Sequence, residues 1–524
     1  MCGIIVKPIL YNGIGENITH RGPDSTVIKS VSDYMFKFFR LAIIDVSHAG
    51  DQPFEDKKFV VVCNGEIYNH KQLRDAYQYP YVSHSDCEVL LPLLEKHEIA
   101  KVASIIDAEF AFVAFDKSKQ KLLAARDPMG IRPLFYGYCE NGKIAFASEI
   151  KALIGVCQEI IPFPPGHYYD GEKILPYNEL YKIHDAKHTD LNVILDNIRE
   201  KLIQSVVKRL DADVPVGFLL SGGLDSSLVC AIAAKHLNKK IETFAIGLDH
   251  NPIDLKYAKQ MADYLGTNHH EVIFSSKDVN NALREVIKAI ESWDVTTIRA
   301  STPMYLLCKY IRNNTNIRVL LSGEVSDELF GYKYTDFAPD ANEFQKESQK
   351  RIKELYMYDV LRADRCIAGN SLEARVPFSD TDFVSYVMSI NPEIKLNKYN
   401  MGKYLLRKAF DISHSNTTEF LPNEILWRDK AAFSDAVGHG MVDDLILLAE
   451  NKYSDEEFTT KIKQYKINPP LTKEGLMYRE IFSELFPNQD QVICGYWLPN
   501  TSWPNCQLSD PSARHLPNYG ASGK

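Results

Sequence analysis

Short apolar runs dominate the first third of the chain. "FKFFRLAIIDV" (36–46), "FVVVCNGEIY" (59–68), "EFAFVAFD" (109–116), "KLLAARD" (121–127), "RPLFYGY" (132–138) and "KIAFASE" (143–149) are rich in Phe, Val, Ile and Tyr, and Gly, Pro and Asp punctuate them, which predicts strands. After the proline-rich "IPFPPGHYYD" (161–170) the period changes, and "LNVILDNIREKLIQSVVKRL" (191–210) carries apolar residues at helical spacing. From Val214 onward apolar strands alternate with amphipathic helices, the pattern of a parallel sheet covered on both faces. These shifts predict two domains, 1–187 and 188–524, with an irregular, partly disordered tail rich in Pro, Ser and Asn from about residue 488.

Composition narrows the class. The chain has 524 residues, 45% of them apolar, enough for more than one core. Its 69 acidic and 60 basic residues form no long run of either sign, so nucleic-acid and membrane-surface partners gain no electrostatic support. No segment reaches the ~18 apolar residues of a membrane span or has the build of a signal peptide, so a cytoplasmic protein is expected. The 10 cysteines lack metal-like spacing and read as thiols of a reducing compartment.

Candidate chemistry begins at "MCGI". A small second residue permits removal of the initiator methionine, which would give Cys2 both a thiol and a free α-amine, nucleophile and base on one residue. Alone, Cys2 reads as an ordinary thiol, the Asn-Gly of "CNGEIYN" (63–69) as a turn, and Asp86 in "SHSDCEVL" (83–90) as a helix cap. Together with "HRGPD" (20–24) and Arg40 they resemble the N-terminal-nucleophile glutamine amidotransferase domain. The resemblance implies that Cys2 attacks the glutamine amide, that Asn64 and the Gly65 N–H form the oxyanion hole, and that Arg40 takes the substrate carboxylate. It also implies that Leu41, Ala42, Ile43 and Ile44 line the glutamine site and that Glu66 and Asp86 hold the ammonium. Cys87 is a second thiol nearby and is given no role.

A second constellation lies in "VGFLLSGGLDSSLVCAIAA" (216–234): an apolar strand, a Gly-Gly turn and a helix start, which together form an anion cradle without the Walker lysine. "SGGLDSS" resembles the pyrophosphate motif of ATP pyrophosphatases. That implies ATP contacts at Leu220, Ser221, Gly222, Gly223, Asp225 and Ser226, adenine packing at Ile246 and Gly247, and Mg²⁺ held through pyrophosphate by Asp225 and Asp327. "VLLSGEVSDELFGYKY" (319–334) repeats the strand and turn, adding Ser322, Gly323 and the acids Glu324, Asp327 and Glu328.

With "RDPMGIRPLFYG", "FASEIKAL", "EARVPF", "LRKAF", "EILWRDKAAFSDAVG" and "DPSAR" in order, the whole chain resembles the glutamine-hydrolysing asparagine synthetases. The family fold would be an α+β N-terminal domain, an αββα sandwich of the Ntn hydrolase type, then an α/β parallel-sheet ATP pyrophosphatase domain. Its activity would be conversion of L-aspartate to L-asparagine through β-aspartyl-AMP, with ATP and Mg²⁺, using ammonia passed through a dry interior from the glutaminase site. Glu324 would serve as base, Lys430 would offset phosphate charge, Arg375 would meet the aspartate carboxylate, and the protein would be a homodimer. Val325 stands where the family has glycine, the stretch after Glu328 is a residue short, and Ser379 replaces a leucine. A β-branched residue resists positive φ, so the Glu324 loop is expected to differ in shape. Rival readings are a β-lactam synthetase, which lacks a working N-terminal nucleophile, and a non-catalytic ATP-binding relative, which would not need Cys2, Glu324 and Lys430.

Overall fold

The computed structural model describes residues 1–183, 186–249, 253–415, 419–429, 439–512 and 515–519. Its first half holds twelve strands: β1 (Gly3–Pro8), β2 (Ser25–Val31), β3 (Tyr34–Arg40), β4 (Phe54–Glu55), β5 (Phe59–Ile67), β6 (Ala108–Asp116), β7 (Lys121–Arg126), β8 (Phe135–Tyr138), β9 (Ile144–Ala147), β10 (Ile161–Pro162), β11 (His167–Tyr169) and β12 (Ile174–Pro176). They form two antiparallel sheets, ordered β10-β8-β9-β1-β3-β2 and β12-β11-β7-β6-β5-β4. Alternate residues of the two sheets meet face to face: Ile4, Val6, Phe36 and Phe38 pack with Val60, Val62, Val113 and Ala124. The opposite face of the second sheet, through Val61, Cys63 and Phe112, is covered by Leu90, Leu91 and Leu94 of the helix Leu90–Lys96 and by Val102 of Ile99–Ile105.

β1 is buried along its whole length because both of its faces are covered, which is why "GIIVKP" reads as continuous rather than alternating. The run expected as one strand from Phe36 to Val46 stops at Arg40. There the guanidinium donates to the carbonyls of Ser47 and Asp45, curling the following segment into a loop in which Asp45 takes φ +58°.

In the second half the helix Leu191–Lys208, capped by Asp190, leads into five parallel strands: β13 (Val216–Leu219), β14 (Glu242–Leu248), β15 (Asn268–Phe274), β16 (Val319–Leu321) and β17 (Glu373–Arg375). Their order is β15-β14-β13-β16-β17. The chain winds outward from β13 to β15 and then returns to the other side of β13. Such a reversal opens a crevice at the carboxyl ends of β13 and β16, the usual ligand position in open α/β sheets.

Part of the tail from residue 488 is packed: Trp503, Cys506, Leu516 and Tyr519 close around Tyr334. All ten cysteines are free thiols. No helix among the described residues is long and apolar enough to cross a membrane.

Candidate functional site

The first site gathers at the start of β1. The Cys2 backbone N–H donates to Asn64 Oδ1 at 3.0 Å, its sulfur lies 3.7 Å from the Leu41 carbonyl, and its own carbonyl accepts from Arg21 Nε at 2.9 Å. Arg21 is locked in turn by Glu149 and Asp364. Burial pushes the Cys2 thiol up to about 11, outweighing the nearby N-terminal charge. Met1 precedes it, fully buried, with its amine 3.6 Å from Glu373. While Met1 is present the Cys2 nitrogen is an amide and cannot take a proton.

Asn64 and Gly65 sit on β5 opposite Ala111 and Phe110 of β6. Asn64 is buried, and among the described residues its Nδ2 has no hydrogen-bond acceptor, although Oδ1 is engaged by Cys2. An unpartnered buried donor costs roughly 1–3 kcal/mol and is what an oxyanion hole needs before substrate arrives. A Cβ on Gly65 would lie 2.6 Å from the Glu109 carbonyl, so only glycine fits there. Gln52, which the sequence did not single out, clamps the neighbouring Cys63 backbone through both of its amide atoms.

Around this core, Asp86 is buried and accepts from the Ile67 N–H at 2.8 Å, and burial raises its pKa. Glu66 is buried against Arg375 at 3.0 Å, and burial raises it further. Arg40 is turned onto Asp51 at 2.8 Å and onto the loop carbonyls. Leu41 and Ile43 direct their side chains into the apolar core of the second half, so their contribution to a glutamine site is limited to backbone, while Ala42 and Ile44 are half-buried.

The second site lies at the crevice between β13 and β16, a cavity of about 240 Å³. Leu220, Ser221, Gly223, Asp225 and Ser226 line one wall, Ile246 with Phe244 and Ala245 an apolar one, and Ser322, Gly323, Glu324 and Asp327 a third. Gly222 takes φ +71°, where a Cβ would strike the Tyr257–Ala258 backbone at 2.4 Å. It shapes the turn, and its carbonyl accepts from Arg428, but neither it nor Gly247 lines the cavity. The Ser221 and Ser226 hydroxyls lie 3.0 Å apart, and Gly323 is pressed against the helix start at Ser226, so the two loops form one cradle.

Lys403, buried, reaches into this cradle and pairs with Asp225 at 2.8 Å, Asp327 at 2.6 Å and the Ser326 hydroxyl at 2.9 Å. Nothing in "MGKYLLRKAF" distinguishes it from an ordinary surface lysine, so sequence reasoning missed it. Glu324 pairs with Arg362 at 2.7 Å, and Arg362 with Asp359 at 2.8 Å. Burial raises the Glu324 pKa against the pull of Arg362, and raises Glu328 well above the carboxylate range.

Three expectations need correction or fall outside the structure. Val325 does adopt positive φ, +80°, so the loop keeps the glycine-like path, with the side chain held among buried neighbours. Arg375 is not in the cavity: its guanidinium meets Glu66 of the first half and is held by Glu373 and two backbone carbonyls of its own half. Lys430 lies outside the described residues.

For Mg²⁺, the donor set is the relevant observation. Among the described residues no group of three or more His, Cys, Asp or Glu could hold a metal ion. Two carboxylates, Asp225 and Asp327, do converge on one cation, Lys403, beside the anion cradle. Mg²⁺ commonly uses one or two carboxylates together with substrate phosphates, and this pair fits that mode.

Residues 1–163 match the family profile for a glutamine amidotransferase domain, and residues 197–343 and 336–513 match that for asparagine synthase. Asparagine synthetases [glutamine-hydrolyzing] from Cricetulus griseus, Zea mays and Oryza sativa subsp. japonica are 40%, 41% and 42% identical to this chain. The alignments cover 97%, 93% and 98% of this chain and 96%, 85% and 88% of those proteins.

Proposed function

The chain belongs to the glutamine-hydrolysing asparagine synthetases, and from that membership we propose how its residues divide the work. It is an ATP-dependent ligase that carries out glutamine-dependent asparagine synthesis. The observation that carries the residue assignment is the Asn64 side chain, whose Oδ1 holds the Cys2 nitrogen while its buried Nδ2 has no acceptor among the described residues. Once Met1 is removed, that nitrogen becomes an amine positioned to take the thiol proton. Cys2 then attacks the glutamine carboxamide, Asn64 Nδ2 and the Gly65 N–H receive the oxyanion, and ammonia leaves. Glu66 and Asp86 hold the substrate ammonium, and Arg40 exchanges Asp51 for its carboxylate.

In the second half Ser221, Gly223, Ser226 and the helix start cradle the ATP phosphates, and Ile246 packs against adenine. Asp225 and Asp327 would hold Mg²⁺, which when bound neutralises charge on the phosphates. Lys403 counters the same charge from the protein side, joined by Lys430. Glu324, its pKa raised by burial, takes as a carboxylate the proton of ammonia as it attacks β-aspartyl-AMP. Ammonia crosses the buried interface between domains 1–187 and 188–524. A cytoplasmic homodimer completes the reading.

Treatment with a diazoketone analogue of glutamine tests the first site. A single adduct on Cys2, in protein whose intact mass lacks Met1, supports the assignment. An adduct on Cys63 or Cys87 instead refutes it.

A further inference from the structure

We propose that Arg375, supplied by the second half, is a positioning residue for the glutaminase site: its guanidinium, 3.0 Å from Glu66, orients that carboxyl group and gives it a cationic neighbour, so glutamine binding in the first half depends on a side chain from the other domain. The proposal rests on the reading of Glu66 as a holder of the substrate ammonium.

Arg375 ends β17, the edge strand of the parallel sheet, and is fully buried. Its Nε donates to Glu373 at 2.9 Å, and its Nη1 to the Arg209 and Asp211 carbonyls at 2.9 and 2.6 Å. These contacts fix the fork. Its Nη2 then lies 3.0 Å from Glu66 Oε2 without a hydrogen-bond angle, so its hold on Glu66 is electrostatic and leaves carboxylate lone pairs for another donor.

The surroundings explain the need for a cation. Glu66 is buried, and two further acids face it, Asp86 from its own half and Glu373 from β17; burial together with these acids favours a neutral carboxyl. A neutral carboxyl would lose most of its attraction for an ammonium. Arg375 is the strongest opposing influence, with Arg132 of the first half a weaker one. Removing one member of a buried ion pair leaves the other uncompensated, and here it would shift Glu66 further toward the protonated form. The Arg375 carbonyl accepts from Ser322 N–H at 3.1 Å. That bond is independent of the side chain, so substitution leaves the synthetase loop tethered.

Glutamate formation by the full-length protein is measured against glutamine concentration for wild type, Glu66→Gln, Arg375→Met, Arg375→Lys and the Glu66→Gln/Arg375→Met double variant. Arg375→Met is expected to raise the glutamine KM by roughly tenfold or more, with kcat and ammonia-dependent synthesis within about threefold of wild type. Arg375→Lys, which restores the charge, recovers most of the loss. If Arg375 acts through Glu66, the double variant has the KM of the worse single variant. An unchanged KM in Arg375→Met, or a double-variant effect equal to the product of the singles, overturns the proposal while leaving the Glu66 assignment standing. An unchanged KM in Glu66→Gln overturns that assignment and the proposal with it. If Arg375→Met does not fold, Arg375→Gln carries the same test.

Discussion

Val325 separates backbone strain from packing in the loop that carries Glu324. Its backbone sits at φ +80° and ψ −17°, and its side chain is 2% exposed. Replacement by alanine removes the two buried methyls, and replacement by glycine removes the buried Cβ as well, a further loss of about 0.8 kcal/mol. At an ordinary element position alanine would then be the more stable of the two by ~1.3–1.8 kcal/mol, because of that carbon and because glycine has more freedom to lose. In the left-handed region a Cβ costs about 1–2 kcal/mol that glycine escapes. The two effects offset, and Val325→Gly should match Val325→Ala to within about 0.5 kcal/mol. With a urea slope of ~3 kcal/mol/M the midpoints should agree to within about 0.2 M, where an unstrained position would favour alanine by about 0.4–0.6 M. Equilibrium urea unfolding of the two variants, followed by tryptophan fluorescence, provides the comparison. Aspartate-dependent pyrophosphate release by Val325→Gly should stay within about threefold of wild type, since the loop already follows the glycine path. An alanine variant more stable than the glycine variant by about 0.4 M or more would refute the strained conformation.

Other consequences are as direct. Asn64→Ala should lower the glutaminase kcat by about 10²–10³, measured as glutamate release, with the glutamine KM changing far less. Lys403→Met leaves Asp225 and Asp327 without their shared cation, so the KM for ATP should rise roughly tenfold or more, and an unchanged value would argue against a phosphate-side role. Because Glu324 must be deprotonated to act as a base and its pKa is raised by burial, glutamine-dependent synthesis should fall as pH drops through a midpoint above the ordinary carboxylate range. Arg362→Met removes the cation that opposes this shift and should move the midpoint of the pH–rate profile upward; a downward move would contradict the pairing. Burial raises Asp294 to about 6. A raised carboxyl contributes stability below its unfolded value that is lost as pH rises through the folded one, so Asp294→Asn should flatten the stability profile between about pH 4 and 6.

Much of this was legible in the sequence because it is local. Apolar runs bounded by glycine and proline marked strands, and the switch to alternating strands and amphipathic helices marked the parallel sheet. "SGGLDSS" and "SGEVSDE" each follow a strand, and the reversal after β15 brings the two loops together at one crevice. What escaped depends on long-range contacts. Lys403 becomes distinctive only when Asp225 and Asp327, far away in sequence, converge on it. Arg375 looked like a substrate-binding arginine because its motif lies in the second half, but an edge strand has two neighbourhoods, and this one faces the first domain. The tail gave no periodic signal, and it packs through scattered aromatic residues around Tyr334. Val325 was misjudged from propensity alone, which the surrounding packing overrides.

The central claim is that two sites, joined by ammonia, act in one chain. The most direct test supplies purified protein with ATP, Mg²⁺, L-aspartate and either glutamine or ammonium, and follows glutamate, pyrophosphate and asparagine together. The account expects asparagine and pyrophosphate in equal amounts from both nitrogen sources, with Cys2→Ala losing the glutamine route alone. Glutamate release without aspartate-dependent pyrophosphate, or loss of both routes in Cys2→Ala, would contradict it.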